Sequence, residues 1–349
     1  MQIDFHHTVT YVTSRLAGFG HKDADVIAYA AQYVDDATSS GAVIFSNKAL
    51  YTRISSAHQS LDLENLNDVE NHLVWLPFHF FPGNGGLPAG QTPDGSFINR
   101  LICKPDSPPA REMLAAAFKQ KGNANALHRL GVALHVYADT WAHQGFAGVL
   151  HEVNEVEDAK EIDGKKVFGN LQEKLFDLVD DALPPLGHAR ANVFPDMPFL
   201  NWQYENGHDE VPVKRDNTNL FCQAADALCK AMQRYLGSDE TGLSGDSLDK
   251  IRSKFETLAD EDGDERHKKW LDAINDGEFF AMDGATLSYA ADGKNSWKAR
   301  ALGTSCDRPV HTYSEAFLAS DWKMFHDALQ QHRLEVLHDI LPRYGICAG

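Results

Sequence analysis

The residues best suited to chemistry lie between Leu127 and Gly148, in LHRLGVALHVYADTWAHQGFAG, where His135, Asp139 and His143 follow one another at steps of four. In an α-helix each such step turns a side chain by only ~40° and advances it by ~6 Å, so the three share one face. Imidazole nitrogen and carboxylate oxygen four residues apart can reach one divalent ion at first-shell distances of ~2.0–2.2 Å. His135 and His143 stand ~12 Å apart along the axis, too far for one ion. Metal binding here therefore implies at least two sites with Asp139 between them. A solvated helix face is the bland alternative, and it fits poorly with Leu134, Tyr137, Ala138 and Trp141 around the three.

The elements that must hold this face are helical. Phe5, Val9, Val12 and Leu16 recur at helical spacing up to Gly18, a C-terminal cap. A second helix starts at Asp23 as its cap and carries Val26, Ile27, Ala30, Ala31 and Val34 inward until Asp35 and Asp36. Residues 47–82 are mixed and end in WLPFHFFP, which sets His79 among Trp75, Phe78, Phe80 and Phe81. A long loop, GNGGLPAGQTPDG, follows. Helices are expected at 109–121, about 125–146, 170–183, 216–236, 247–260, 265–275 and 310–340, with an irregular Pro-rich segment, PPLGHARANVFPDMPFLNWQY, between the third and fourth. Strand patterns are scarce, and residues 280–300 hold at most a small hairpin. The expectation is an all-α, multi-helical chain of one domain over 1–349, with a metal-site core at about 1–205 and a helical elaboration at about 206–349.

Composition narrows the function classes. With 32 basic against 50 acidic residues the net charge is −18, which opposes a stable complex with nucleic acid or an anionic membrane surface. A phosphate substrate stays admissible, because bound dications can outweigh the protein's field locally. Cys103, Cys222, Cys229, Cys306 and Cys347 have no CxxC spacing and suggest reduced thiols. Met1 leads straight into QIDFHH, without a basic segment and apolar core, and no run reaches the length of a membrane span; the reading is a cytoplasmic chain. No GxSxG, GxxxxGK[ST], HExxH or GxGxxG signature is present. What remains is histidine and carboxylate. Of seventeen histidines, His6, His79, His135, His143 and His188 sit in apolar or irregular surroundings, where a polar group needs a partner to offset desolvation. A metal ion is one such partner; a core hydrogen bond is the other, and for His79 alone it is the simpler one.

The run LGVALHVYADTWAH resembles the metal helix of the zinc-dependent phospholipase C and S1/P1 nuclease superfamily. The order of the remaining candidates resembles that superfamily too: His6 near the N-terminus, Asp35 or Asp36 on an early helix, His79 before the long helix, then a later histidine with a carboxylate. The chain also resembles a bacterial family that begins DFH…TY…AGF and carries the YADT-AHQ-F-G run. The superfamily resemblance covers roughly residues 1–205 and implies a helical hydrolase that cleaves phosphoesters with one to three zinc ions. Asp35 or Asp36 with His79, His135 and Asp139 would surround one ion, Asp139 would bridge to a second held by His6, and His143 would open a third set. His188 with Asp196 is preferred over His151 with Glu155 to complete it. The implied chemistry is in-line attack on phosphorus by a metal-activated water, with Asp35, Asp36 and Asp139 as the catalytic carboxylates and no protein nucleophile. The substrate, whether phospholipid, nucleotide or nucleic acid, is left open. Three features depart from the superfamily's pattern: Met1 stands where its secreted members carry a processed tryptophan, only three residues separate Asp139 from His143, and the interval from Asp36 to His79 is long.

Two rival readings remain. An HD-type phosphohydrolase would use His326-Asp327 or His338-Asp339. A non-catalytic helical protein would use the cluster to close one structural zinc with four protein ligands.

Overall fold

The computed structural model describes residues 1–57, 68–162, 191, 193–206, 208 and 211–348. Its organising element is a helix buried on every side. Of the seventeen residues of Ala126–Ala142, all but Leu127 are buried, the polar His128, Arg129, His135, Asp139 and Thr140 included. Eleven α-helices are described: α1 (Thr10–Ala17), α2 (His21–Asp36), α3 (Asp68–Phe78), α4 (Ile98–Leu101), α5 (Pro108–Phe118), α6 (Ala126–Ala142), α7 (Asn217–Leu236), α8 (Gly245–Thr257), α9 (Gly263–Asn275), α10 (Trp297–Leu302) and α11 (Asp321–Leu334). A wide helical turn, Asp4–Val9, leads into α1. The central helix packs against α2, α3, α5, α7 and α11.

The tightest of these contacts is set by Gly131. A Cβ placed there would meet the Ile27 carbonyl oxygen at 2.4 Å and Ala30 Cβ at 2.7 Å, so only glycine lets α6 approach α2 this closely. Ala28, Ala30 and Ala31 give α2 a correspondingly shallow face, all three fully buried. The helix stops at Ala142 rather than running on to 146. Gly145 turns with φ 87°, and the buried guanidinium of Arg215 donates to the carbonyls of Trp141, Ala142 and Gln144 at 3.3, 2.5 and 2.9 Å, satisfying the helix's open acceptors.

Sheet content exceeds the expected single hairpin. Strands β1 (Gly41–Ile44) and β2 (Leu50–Arg53) pair antiparallel, with Ile44 opposite Leu50. Strands β3 (Glu157–Glu161), β4 (Asn201–Glu205) and β5 (Val213–Asp216) form a second antiparallel sheet with β4 in the middle. No strand occurs in 280–300. That stretch ends instead in the start of α10, where Ser296 caps the helix by accepting from the Ala299 N–H and Gly303 closes it at φ 74°. Two helix starts also move. Gly20, not Asp23, precedes α2, and Ser320 caps α11, leaving 310–320 as loop with one short turn. The helix expected at 170–183 lies outside the described residues.

The largest apolar cluster joins Phe5, Leu130, Leu134, Phe221, Phe255, Trp270 and Leu341, so residues before and after position 205 share one core, and β5 pairs with β4 across that position. Among the described residues no helix is long and apolar enough to cross a membrane. Because the Gly131 contact is with main chain, which cannot swing aside, Gly131→Ala is expected to lower unfolding stability by about 1–3 kcal/mol, read as a lower urea midpoint at unchanged slope.

Candidate metal centre

The site is built around one carboxylate. Asp139, fully buried on α6, points its two oxygens to opposite sides. Oδ1 receives the amino group of Met1 at 2.6 Å and lies 3.1 Å from His6 Nε2. Oδ2 lies 3.4 Å from His79 Nδ1, 3.4 Å from His135 Nε2 and 3.6 Å from His143 Nδ1. Asp196 closes one flank, with Oδ1 at 3.2 Å from the Met1 amine and 3.4 Å from His143 Nε2. Asp35 closes the other, with Oδ1 at 3.8 Å from His79 Nδ1 and 3.7 Å from His135 Nε2. His6 and His135 stack ring on ring at 3.8 Å.

Backbone carbonyls decide which imidazole nitrogens face this cluster. His135 Nδ1 is 2.8 Å from the Ala31 carbonyl, His79 Nε2 is 2.8 Å from the Ser56 carbonyl, and His143 Nδ1 is 2.8 Å from the His79 carbonyl. A carbonyl only accepts, so each of these nitrogens must carry the proton. In a neutral ring the other nitrogen is then a bare lone pair. For His135 and His79 those lone pairs face each other at 3.3 Å, an arrangement that a cation between or beside them relieves. Neither nitrogen of His6 has a hydrogen-bond partner among the described residues, and neither does Asp139 Oδ2. Two overlapping groups, His6–His135–Asp139 and Asp35–His79–His135, bring their ligand atoms within 4.8 Å of one another. The donor set, nitrogen and carboxylate oxygen oriented by outer carbonyls, suits zinc.

Electrostatics follow from burial. Desolvation favours a neutral Asp139, but His143, the Met1 amine, His135 and His6 together hold its carboxyl well below the usual range. The amine is opposed by desolvation and raised by Asp139, Asp196 and Asp35, ending at about 11. Burial and the adjacent amine push His6 down to about 4, and burial with neighbouring His6 takes His135 well below its ordinary value. Asp35 is driven well above by desolvation and by the Asp139 charge.

Asp35 is also the exposed edge of the cluster, 29% accessible, at the mouth of a cleft of about 620 Å³ lined by Met1, Asp36, Asp262, Asp264, His267 and Tyr289. Its neighbour Asp36 turns away. The Asp36 carboxylate accepts from Tyr289 Oη at 2.5 Å and from Gln32 Nε2 at 3.1 Å, forming cleft wall rather than ligand shell, because consecutive residues at the end of a helix diverge by roughly 100°. His6, Asp35, His79, His135, Asp139, His143 and Asp196 are thus brought together. His188 lies outside the described residues. His151 caps a short turn by accepting from the Val153 N–H. Trp75, Phe78, Phe80 and Phe81 do not line the cleft; Phe80 stacks on His143 and Phe78 on His332 as packing. At the rival dipeptide, His326 packs against Trp322 while Asp327 accepts from Tyr51 and Lys323, and no metal-ligating group forms there among the described residues. The residue that sequence reasoning missed is Met1. It entered the sequence reading only as a departure from the resembling pattern, whereas the structure sets its amine between Asp139 and Asp196.

The family model described as a family of unknown function, DUF6765, matches residues 1–340. The chain belongs to DUF6765. No curated protein and no solved structure matches it. For this member of DUF6765 the buried imidazoles set a pH dependence. His6 has a folded value of about 4 against an unfolded value near 6.5, so between those limits the unfolded chain binds the extra proton and stability rises with pH. Metal-free protein is therefore expected to lose on the order of 3 kcal/mol from this residue as pH falls from 6.5 to 4. Urea titrations in chelator should show the loss, and His6→Gln should flatten it.

Proposed function

We propose that this DUF6765 chain is a zinc-dependent phosphoric ester hydrolase whose centre and helical architecture are those of the phospholipase C and S1/P1 nuclease superfamily. The observation that carries the reading is the set of imidazole lone pairs fixed by three main-chain carbonyls, those of His79 and His135 aimed at Asp139 and that of His143 at Asp196. Asp35, His79, His135 and Asp139 would hold one ion. Asp139, His6 and the Met1 amine would hold a second, and His143 with Asp196 would open a third position. Zinc bound there supplies Lewis acidity toward a phosphoryl oxygen and makes a water more acidic.

The protein groups divide the remaining work. Asp139 offers one oxygen to each side and so ties two ligand groups together. Asp35, the one cluster carboxyl that reaches the cleft, is placed to exchange a proton with entering water. A closed structural zinc site would have no such mouth, which favours a catalytic centre. The cleft lining contains no lysine or arginine among the described residues, and Asp36, Asp262 and Asp264 add negative charge. A compact phosphate ester suits that lining better than a polyanionic nucleic acid. Three of the five thiols are buried and all five are free, consistent with the cytoplasmic setting that is part of this reading.

Purified protein is expected to carry zinc by inductively coupled plasma mass spectrometry and to cleave a chromogenic phosphodiester. His135→Ala and Asp139→Asn should each lower the metal content and cut the hydrolysis rate at least 100-fold, because His135 is common to both clusters of ligand atoms and Asp139 is the carboxylate between the two proposed ions. A wild-type complement of zinc in folded Asp139→Asn protein would overturn the assignment.

A further inference from the structure

A free chain end is ordinarily frayed unless something ties it down, yet the Met1 amine is fully buried against two carboxylates. What ties it down comes from the far end of the sequence. The guanidinium of Arg266, on α9 and fully buried, grips Asp4 on both oxygens, Nε to Oδ2 at 2.7 Å and Nη2 to Oδ1 at 3.2 Å, and reaches Gln2 Oε1 with Nη2 at 2.5 Å. Its Nη1 is anchored in turn on the carbonyls of Asp260 and Glu261 at 2.6 and 3.2 Å. Gly263 completes the grip. A Cβ there would meet Gln2 Oε1 at 2.8 Å, so the Gln2 side chain lies directly on the first turn of α9. One residue further along α9, His267 Nε2 pairs with His7 Nδ1 at 2.9 Å. The residues held in this way, 2, 4 and 7, flank the two that enter the cluster, Met1 and His6.

A buried ion pair is a poor device for stability alone, since removing two charges from water offsets most of their attraction, and an apolar pair of similar volume often does as well. Its directional bonds do fix a register. We infer that Arg266 is a positioning residue that sets the Met1 amine and His6 in the metal cluster by holding Gln2 and Asp4. The inference rests on the reading of that amine as part of the metal centre, but the placement itself can be measured without metal.

The test uses full-length protein with a free Met1 amine and a C-terminal tag, in chelator, as wild type, Gly263→Ala and the charge-balanced pair Asp4→Asn with Arg266→Gln. The alanine presses on the Gln2 side chain, chiefly its Oε1 at 2.8 Å with Cβ at 3.3 Å, and leaves the ion pair in place, so it is expected to fold with a urea midpoint close to wild type. Acylation of the α-amine by an activated ester at pH 7, followed on the N-terminal peptide by mass spectrometry, should be at least tenfold faster in both variants, and zinc affinity measured against a chromophoric chelator should fall at least tenfold. Arg266→Lys, which keeps the charge toward Asp4, should restore part of the protection. Folded Asp4→Asn with Arg266→Gln protein, or if that pair does not fold Arg266→Lys protein, whose amine reacts as slowly as wild type would overturn the inference, and the same result in Gly263→Ala would take Gln2 out of the grip. Wild-type protein that takes up no zinc would sink the metal reading instead, and the acylation rates would still decide the role of Arg266.

Discussion

The structure depends on keeping the charge of Asp139 in place at the centre of its most buried helix. An ionised carboxylate without partners is not tolerated there, and protonation would remove the charge rather than solve the packing. The fold answers with nitrogen from four segments: the Met1 amine and His6 from the N-terminal turn, His79 from the end of α3, His135 one turn back on α6 and His143 at its cap. Each oxygen has its own side. Once that is required, the close approach of α2 at Gly131 follows, because Ala31 must bring its carbonyl to His135 Nδ1. So does the early end of α6, which frees His143 to turn back toward Asp139 while Arg215 caps the carbonyls.

The orientation of the imidazoles is passed along the main chain. Ser56 is fastened to the end of α2, its N–H on the Ala37 carbonyl and its hydroxyl on that of Val34. Its own carbonyl then fixes His79, and the His79 carbonyl fixes His143. Carbonyls of this kind set both the tautomer and the plane of a ligating histidine. Two histidines that are distant in sequence therefore turn together, and a shift at the end of α2 would be felt at both.

The helical face on α6 was legible from spacing alone, because His135, Asp139 and His143 obey the helical period inside an apolar run that excludes a solvent face. Most helices were legible for the same reason, and Gly18 marked the end of the first through the left-handed turn it adopts. The choice between Asp35 and Asp36 was not, since both lie at one helix end and only the position of Tyr289 separates them. The small sheets were missed although Trp202 and Tyr204 alternate cleanly with polar neighbours; the prolines just before them hid a five-residue strand. Arg266 was beyond reach. Its run, DEDGDERHKK, has the composition of a solvated turn, and nothing local distinguishes the one arginine whose partners lie about 260 residues away.

What the cluster excludes is as informative as what it contains. Among the described residues three arginines are fully or almost fully buried, and none serves Asp139: Arg129 holds Glu335 and His332, Arg215 caps α6, and Arg266 holds Asp4. A guanidinium would have neutralised Asp139 with better geometry than any imidazole, but permanently, because it does not release its proton in a protein. The nitrogens placed there instead, imidazoles and a terminal amine, can all become bare lone pairs. Protons on such groups can be exchanged for a metal, and binding then releases them to solvent. A cluster built for stability alone would have no use for that exchange, and it is the property that the proposed zinc centre would draw on.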